Sequence, residues 1–135
     1  MRILLSALSL LILACPQVGF SAEYTMTQCN DKTAELNKEL PMELDNVTTW
    51  TNTTCVEKEG NTLQIVYQNV IADGNDITQD NLERLRPSMI GTWCTGPNLI
   101  PILSGVDSVN YQYDFKNGKH IGELTFSKAE CPASP

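Results

Sequence analysis

Cysteine carries most of the chemistry that spacing alone can reveal in this chain. There are five: Cys15, Cys29, Cys55, Cys94 and Cys131. A structural zinc site brings its ligands together through cysteines about three to five positions apart. A redox-active dithiol uses a similarly short spacing. No two cysteines here are that close, so neither chemistry is expected. The single histidine, His120, flanks a predicted turn and is expected to face Phe115. A catalytic imidazole needs a nucleophile and an orienting acid within hydrogen-bond reach, and a turn supplies few neighbours. It reads as a solvated turn residue. A pair of carboxylates across a cleft could cleave a sugar bond, but the acids here fall on predicted helix surfaces and loops. No catalytic residue, metal ligand or cofactor is therefore assigned, and the chain reads as non-enzymatic.

Disulfides are the remaining use for the sulfurs, and they need an oxidising compartment. The N-terminus is laid out for export. Arg2 precedes an apolar run from Ile3 to Ala14, and the small residues Gly19, Ser21 and Ala22 come before the first acid, Glu23. That is a secretory signal peptide, too short to span a bilayer as a mature helix. Residues 1–22 are read as the leader and 23–135 as one domain. Cys15 stands where a bacterial lipoprotein signal would place its lipidated cysteine. Leu13 is large for such a signal, and Pro16 is unusual after the cysteine. Pro16 fits better as the breaker before a later cut. The expected location is periplasmic or secreted, with an outer-membrane lipoprotein through Cys15 as the alternative.

The net charge is −7, and Arg2 leaves with the leader. Such a surface repels phosphate backbones and anionic headgroups. Nucleic acid is excluded as a partner, and a membrane is reached only if Cys15 is lipidated.

The elements follow from periodicity. From Thr27 to Leu40, Cys29, Thr33, Leu36 and Leu40 recur at helical steps, with Asp31, Glu35, Glu39 and Glu43 on another face. Pro41 should stop that helix. The threonine-rich stretch Thr48 to Thr54 favours a strand, and its Trp50 is expected to fill the core, with a surface anchor as the alternative. The Gly60-Asn61 turn would set Val56 opposite Ile65 and Thr54 opposite Tyr67. Asp76 or Thr78 can cap a second helix, which Pro87 should kink or divide. Leu99 to Leu103 forms a short apolar segment. Asn117-Gly118 between alternating runs calls for a type I′ hairpin, with Tyr113 opposite Gly122 and Val109 opposite Phe126. Two hairpins and their helices give an α+β fold. We expect a two-layer sandwich with a four-stranded antiparallel sheet and helices on one face.

Four cysteines allow three pairings, and chain reach selects one. The first helix climbs ~1.5 Å per residue, or roughly 16 Å from Cys29 to Leu40. The strand back to Cys55 covers ~3.3 Å per residue, which returns Cys55 toward Cys29. The last hairpin is a closed excursion, so Cys131 comes back near Cys94. The expected bonds are Cys29–Cys55 and Cys94–Cys131. Asn46-Val47-Thr48 and Asn52-Thr53-Thr54 are formal glycosylation sequons, which a threonine-rich segment produces by chance.

Two stretches carry a family resemblance. One is Leu40-Pro41-Met42-Glu43-Leu44-Asp45 with Gly60 and the alternating Leu63, Ile65 and Tyr67. The other runs from Arg86-Pro87 through Cys94, Pro97, Gly105-Val106, Tyr111-Gln112-Tyr113, Gly118 and Ile121 to Cys131. Together they resemble small bacterial exported proteins of the quorum-sensing-regulated virulence factor type. The second stretch is also similar, more distantly, to the pilotin lipoproteins of type II secretion systems. The resemblance implies an α+β fold and a Cys94–Cys131 bridge, and it brings no catalytic residue.

The function expected is protein binding, with another protein or peptide of the cell envelope as partner. The contact would be a groove between helices and sheet, or an open sheet edge. Candidate contacts are Met89, Ile90, Leu99, Ile100 and Leu103, which otherwise plug the core. The alternative is a secreted inhibitor or host-directed factor acting through the acidic helix stripe.

Overall fold

A computed structural model describes residues 23–132. The leader and Cys15 lie outside the described residues. The chain runs α1 (Met26–Asn37), β1 (Met42–Glu43), β2 (Thr48–Lys58), β3 (Thr62–Ile71), α2 (Gln79–Thr95), α3 (Ile100–Gly105), β4 (Ser108–Phe115) and β5 (His120–Phe126). This is an α+β fold, with helices packed against one face of a single sheet.

The sheet differs from expectation in its centre. It has five strands in the order β1-β2-β3-β4-β5. Both hairpins are antiparallel, but β3 and β4 run parallel, pairing Ile65 with Val109 and Tyr67 with Tyr111. The cause is the chain between them. α2 and α3 carry it back across the sheet, as a parallel crossover requires. Asp107 then fixes the start of β4. Its carboxylate accepts the Leu63 N–H at 2.6 Å, and its own N–H donates to the Leu63 carbonyl at 2.9 Å. The short β1 adds the fifth strand, through Met42 opposite Trp50.

Both turns close on three residues, not two. At the first, Lys58 pairs with Thr62, so Cys55 faces Ile65 and Thr53 faces Tyr67. The expected register is therefore off by one residue. At the second, Tyr113 does face Gly122, but a bulge follows and Asp114 faces His120. Phe115 instead accepts from the Gly118 N–H and donates to the Lys119 carbonyl, both at 2.8 Å. Of the two central residues, only Gly118 takes positive φ, at 94°. The type I′ turn is replaced by a three-residue loop whose last residue needs the glycine.

The helices begin at threonine caps. Thr25 caps α1 with Gln28 as its reciprocal partner, and Thr78 caps α2 with Asn81. α1 ends at Asn37, so only Asp31 and Glu35 of the acidic series stand on it. α2 is unbroken through Pro87, so it is not divided. Pro101 sits in the first turn of α3, where a missing N–H costs nothing.

The core is aromatic at its centre. Trp50, Tyr67, Tyr111 and Phe126 come from four adjacent strands. Their successive ring centroids lie 5.4, 4.9 and 6.1 Å apart. Trp93 of α2 meets Tyr67, Tyr111 and Phe126 edge-on, and its indole N–H donates to the Tyr111 hydroxyl at 2.9 Å. Trp50 is half-buried and packs against the core. Its indole N–H is held by Thr53 Oγ1 at 3.0 Å.

Cys29 is bonded to Cys55, and Cys94 to Cys131, with Cα separations of 6.0 and 5.6 Å. The first bond ties α1 to β2 inside the core; the second ties the end of α2 to the C-terminal segment and is half-buried. Each constrains the unfolded chain by about 3–4 kcal/mol in the loop-entropy model. Access should decide which opens first. Under limiting reductant, alkylation and peptide mapping should find Cys94 and Cys131 labelled while Cys29–Cys55 stays closed. Equal labelling of all four would contradict this picture.

Candidate functional site

The sheet edges come first, because an open edge was one of the expected docking modes. On β2, Asn37 at the end of α1 imitates a missing strand. Its amide donates to the Thr53 carbonyl and accepts from the Thr53 N–H, both at 2.9 Å. On β5, Gln79 does the same to Glu123, donating at 2.7 Å and accepting at 2.9 Å. Arg86 adds a third clamp by donating to the Thr125 carbonyl at 2.6 Å, while Glu83 holds its guanidinium through two further bonds. Gly122 makes room for this. A Cβ there would run into the Gln79 amide oxygen. Side chains thus block strand addition at these points, a standard defence of sheet edges.

The sheet face away from the helices is polar and knitted sideways. Gln64 donates to Ser108 Oγ at 2.9 Å, and Asn110 donates to Thr125 Oγ1 at 2.7 Å. His120 sits at its end with Nδ1 2.7 Å from Asp114 Oδ1, a pair that the bulge creates. Both side chains are well exposed, and no nucleophile joins them. Among the described residues, no group of three or more His, Cys, Asp or Glu side chains could hold a metal ion.

What remains is a groove between α2 and the sheet. Its first part has a volume near 400 Å³ and is walled by Leu44, Asp45, Asp76, Ile77, Leu85 and Tyr113, among others. Its second part, near 280 Å³, is walled by Leu85, Met89, Trp93, Leu99, Tyr111 and Tyr113. The two share Leu85 and Tyr113, so they follow one another along α2. Leu44 is 53% exposed and Leu85 46% exposed. Leu85 stands out over the groove, unlike the buried Leu82 three residues before it.

Of the expected contacts, the groove brings together Met89 and Leu99, both half-buried. Ile90 packs partly against the core. Ile100, 41% exposed, and Leu103, 3% exposed, line a separate hollow beside the Cys94–Cys131 bond. Leu103 is a core residue. Sequence reasoning missed Leu44 and Ile77, which come from loops and acquire meaning only by lining the same hollow as Leu85. The acidic stripe does not form as expected. Glu39 and Glu43 lie off the helix, and Lys32 pairs with Glu35 at 3.7 Å.

Electrostatics differ between floor and rim. Burial raises the pKa of Tyr67, Tyr111 and Tyr113 above the ordinary 10.0, with a smaller contribution at Tyr113 from the Asp45 charge. Asp45 is shifted the other way. Its carboxylate accepts the N–H groups of Val47 and Thr48, each at 2.8 Å, which lowers its pKa and keeps it ionised.

No family model and no curated protein matches the chain. Solved structures do. A Pseudomonas aeruginosa protein assigned as secreted superposes with a TM-score of 0.65 at 14% identity, over 79% of this chain and 92% of its own. The pilotin EpsS of the Vibrio vulnificus type 2 secretion system superposes at 0.59 with 12% identity, over 81% and 93%. The type II secretion pilotin AspS of Vibrio cholerae superposes at 0.55 with 17% identity, over 78% and 91%. At these identities the likeness is one of fold. It joins the chain to secreted and pilotin-like structures, and none of the three is described as a quorum-sensing-regulated virulence factor.

Two outcomes test the chemistry above. The three buried tyrosines hold their protons more tightly folded than unfolded. Their contribution to stability is complete below pH 10 and is lost as pH rises beyond it. The urea midpoint should fall above pH 10, with tyrosinate absorbance growing in together with unfolding; ionisation of the native protein first would count against burial as the cause. Gln79→Ala should free the Glu123 edge and cost about 1–2 kcal/mol. It should also produce concentration-dependent association by light scattering, and an unchanged monomer would show that the amide clamp guards nothing.

Proposed function

We propose that this chain is an exported, non-enzymatic protein-binding module of the bacterial cell envelope, with a pilotin-like manner of working. Three observations support the reading together. The N-terminal residues have the order of a secretory leader, the paired cysteines suit an oxidising compartment, and the fold is that of a secreted protein and two pilotins. The partner is another protein or peptide, received in the groove along α2. One observation carries this most directly: Leu44 and Leu85, two large apolar side chains, stand about half exposed and line the same hollow. Exposed leucines lining one hollow are suited to burying a third apolar group. The blocked edges at Thr53, Glu123 and Thr125 argue against strand addition as the mode.

The leader and the partner are tested separately. Intact mass of the protein from its native host should correspond to a cut near Ala22 and to the loss of four hydrogens for two disulfides. A lipid on Cys15 would make it a lipoprotein instead. In the same host, affinity capture from the envelope should recover a partner with the natural chain and lose it with Leu85→Glu. Both variants should show the same circular dichroism. Recovery unaffected by Leu85→Glu would remove the groove from the contact.

A further inference from the structure

The groove has two unlike ends, and that asymmetry bears on what enters it. The part beside the start of α2 carries Asp45 and Asp76, while the lining toward Leu99 holds no charged residue. Neither Asp45 nor Asp76 has an ion-pair partner among the described residues. Asp80 adds a further carboxylate in the first turn of α2. Asp45 is held in place by the two amides it accepts from, so its charge is fixed at the wall.

We propose that the groove receives a peptide segment of defined polarity: apolar side chains over Leu85, Met89 and Leu99, and a lysine or arginine at the end beside Asp45 and Asp76. The inference rests on the groove reading above and adds the chemistry of its occupant. The hollows follow α2 from Asn81 to Trp93, roughly 18 Å at 1.5 Å per residue. An extended segment of about five residues covers that length. A neutral acyl chain would suit the apolar end but would gain nothing from two unpaired carboxylates. A second copy would bring its own net negative charge, −7 in the full chain, to an acidic mouth. A cationic end is the feature both lack, and its attraction would also orient the segment.

A displayed library of random peptides, selected on the natural protein, tests this directly. Enriched sequences should combine apolar residues with a lysine or arginine at one end. The same selection on D45N/D76N should keep the apolar residues and lose the basic bias. Asp45→Asn retains an oxygen to accept the Val47 and Thr48 amides, so the loop keeps its shape while the charge is removed. A synthetic copy of a selected peptide should bind about two- to fivefold more weakly for each carboxylate removed, and more weakly still in high salt. Apolar enrichment without a basic bias would overturn the inference while leaving the groove reading intact. Enrichment no better than on Leu85→Glu would overturn both. A dimer in sedimentation that Leu85→Glu dissociates would give the groove to a second copy and refute the proposal.

Discussion

Four aromatic rings, one from each of four neighbouring strands, lie in a row under α2, and Trp93 closes over three of them. Tyr67 and Tyr111 are stacked, 4.9 Å apart and 10° from parallel. The β3–β4 register sets these residues directly opposite one another. The row thus links the register of three strand pairings to the seating of one helix. Ring pairs of this kind contribute about 0.5–1.5 kcal/mol each beyond their burial. Their larger effect is positional: a slip at any of these pairings would break the row.

The same row makes the groove. Tyr111 and Tyr113 form its floor, and Trp93, fixed by its bond to the Tyr111 hydroxyl, sets how closely α2 can approach. The helix is held at its other end by Gln79 and Arg86, which grip β5 through backbone groups. Those grips shield an edge strand and also fix the wall that carries Leu85. Clamps at Thr53, Glu123 and Thr125 thus occupy points on the sheet edges, while the groove along α2 stays open beside them. His120 and Asp114 meet on an exposed end of the sheet.

Much of this was legible in the residues. Helical steps at Cys29 and Thr33 marked the buried face of α1. Alternation from Val109 to Phe126 gave the second hairpin and most of its register. Chain reach between a helix and its returning strand was enough to pair Cys29 with Cys55. The parallel centre was not legible: Leu63, Ile65 and Tyr67 alternating with Gln64 and Gln68 read as a half-buried antiparallel strand, and only the fold buries all five positions from Leu63 to Tyr67. The turns were not legible to the residue. Asn117-Gly118 serves a three-residue loop as well as a two-residue one, and the choice depends on twist and on the bulge at Asp114.

Local pattern determined which residues form helices and strands, which cysteines can meet, and that the chain lacks close metal or catalytic spacings, because these depend on neighbours along the chain. Tertiary structure alone decided that Leu85 faces outward into a hollow that Leu44, from a loop before β2, also lines, and that Asn37 and Gln79 fill the sheet edges. Those relations join separate segments of the chain, and only the packing of α1 and α2 on the sheet brings them within reach.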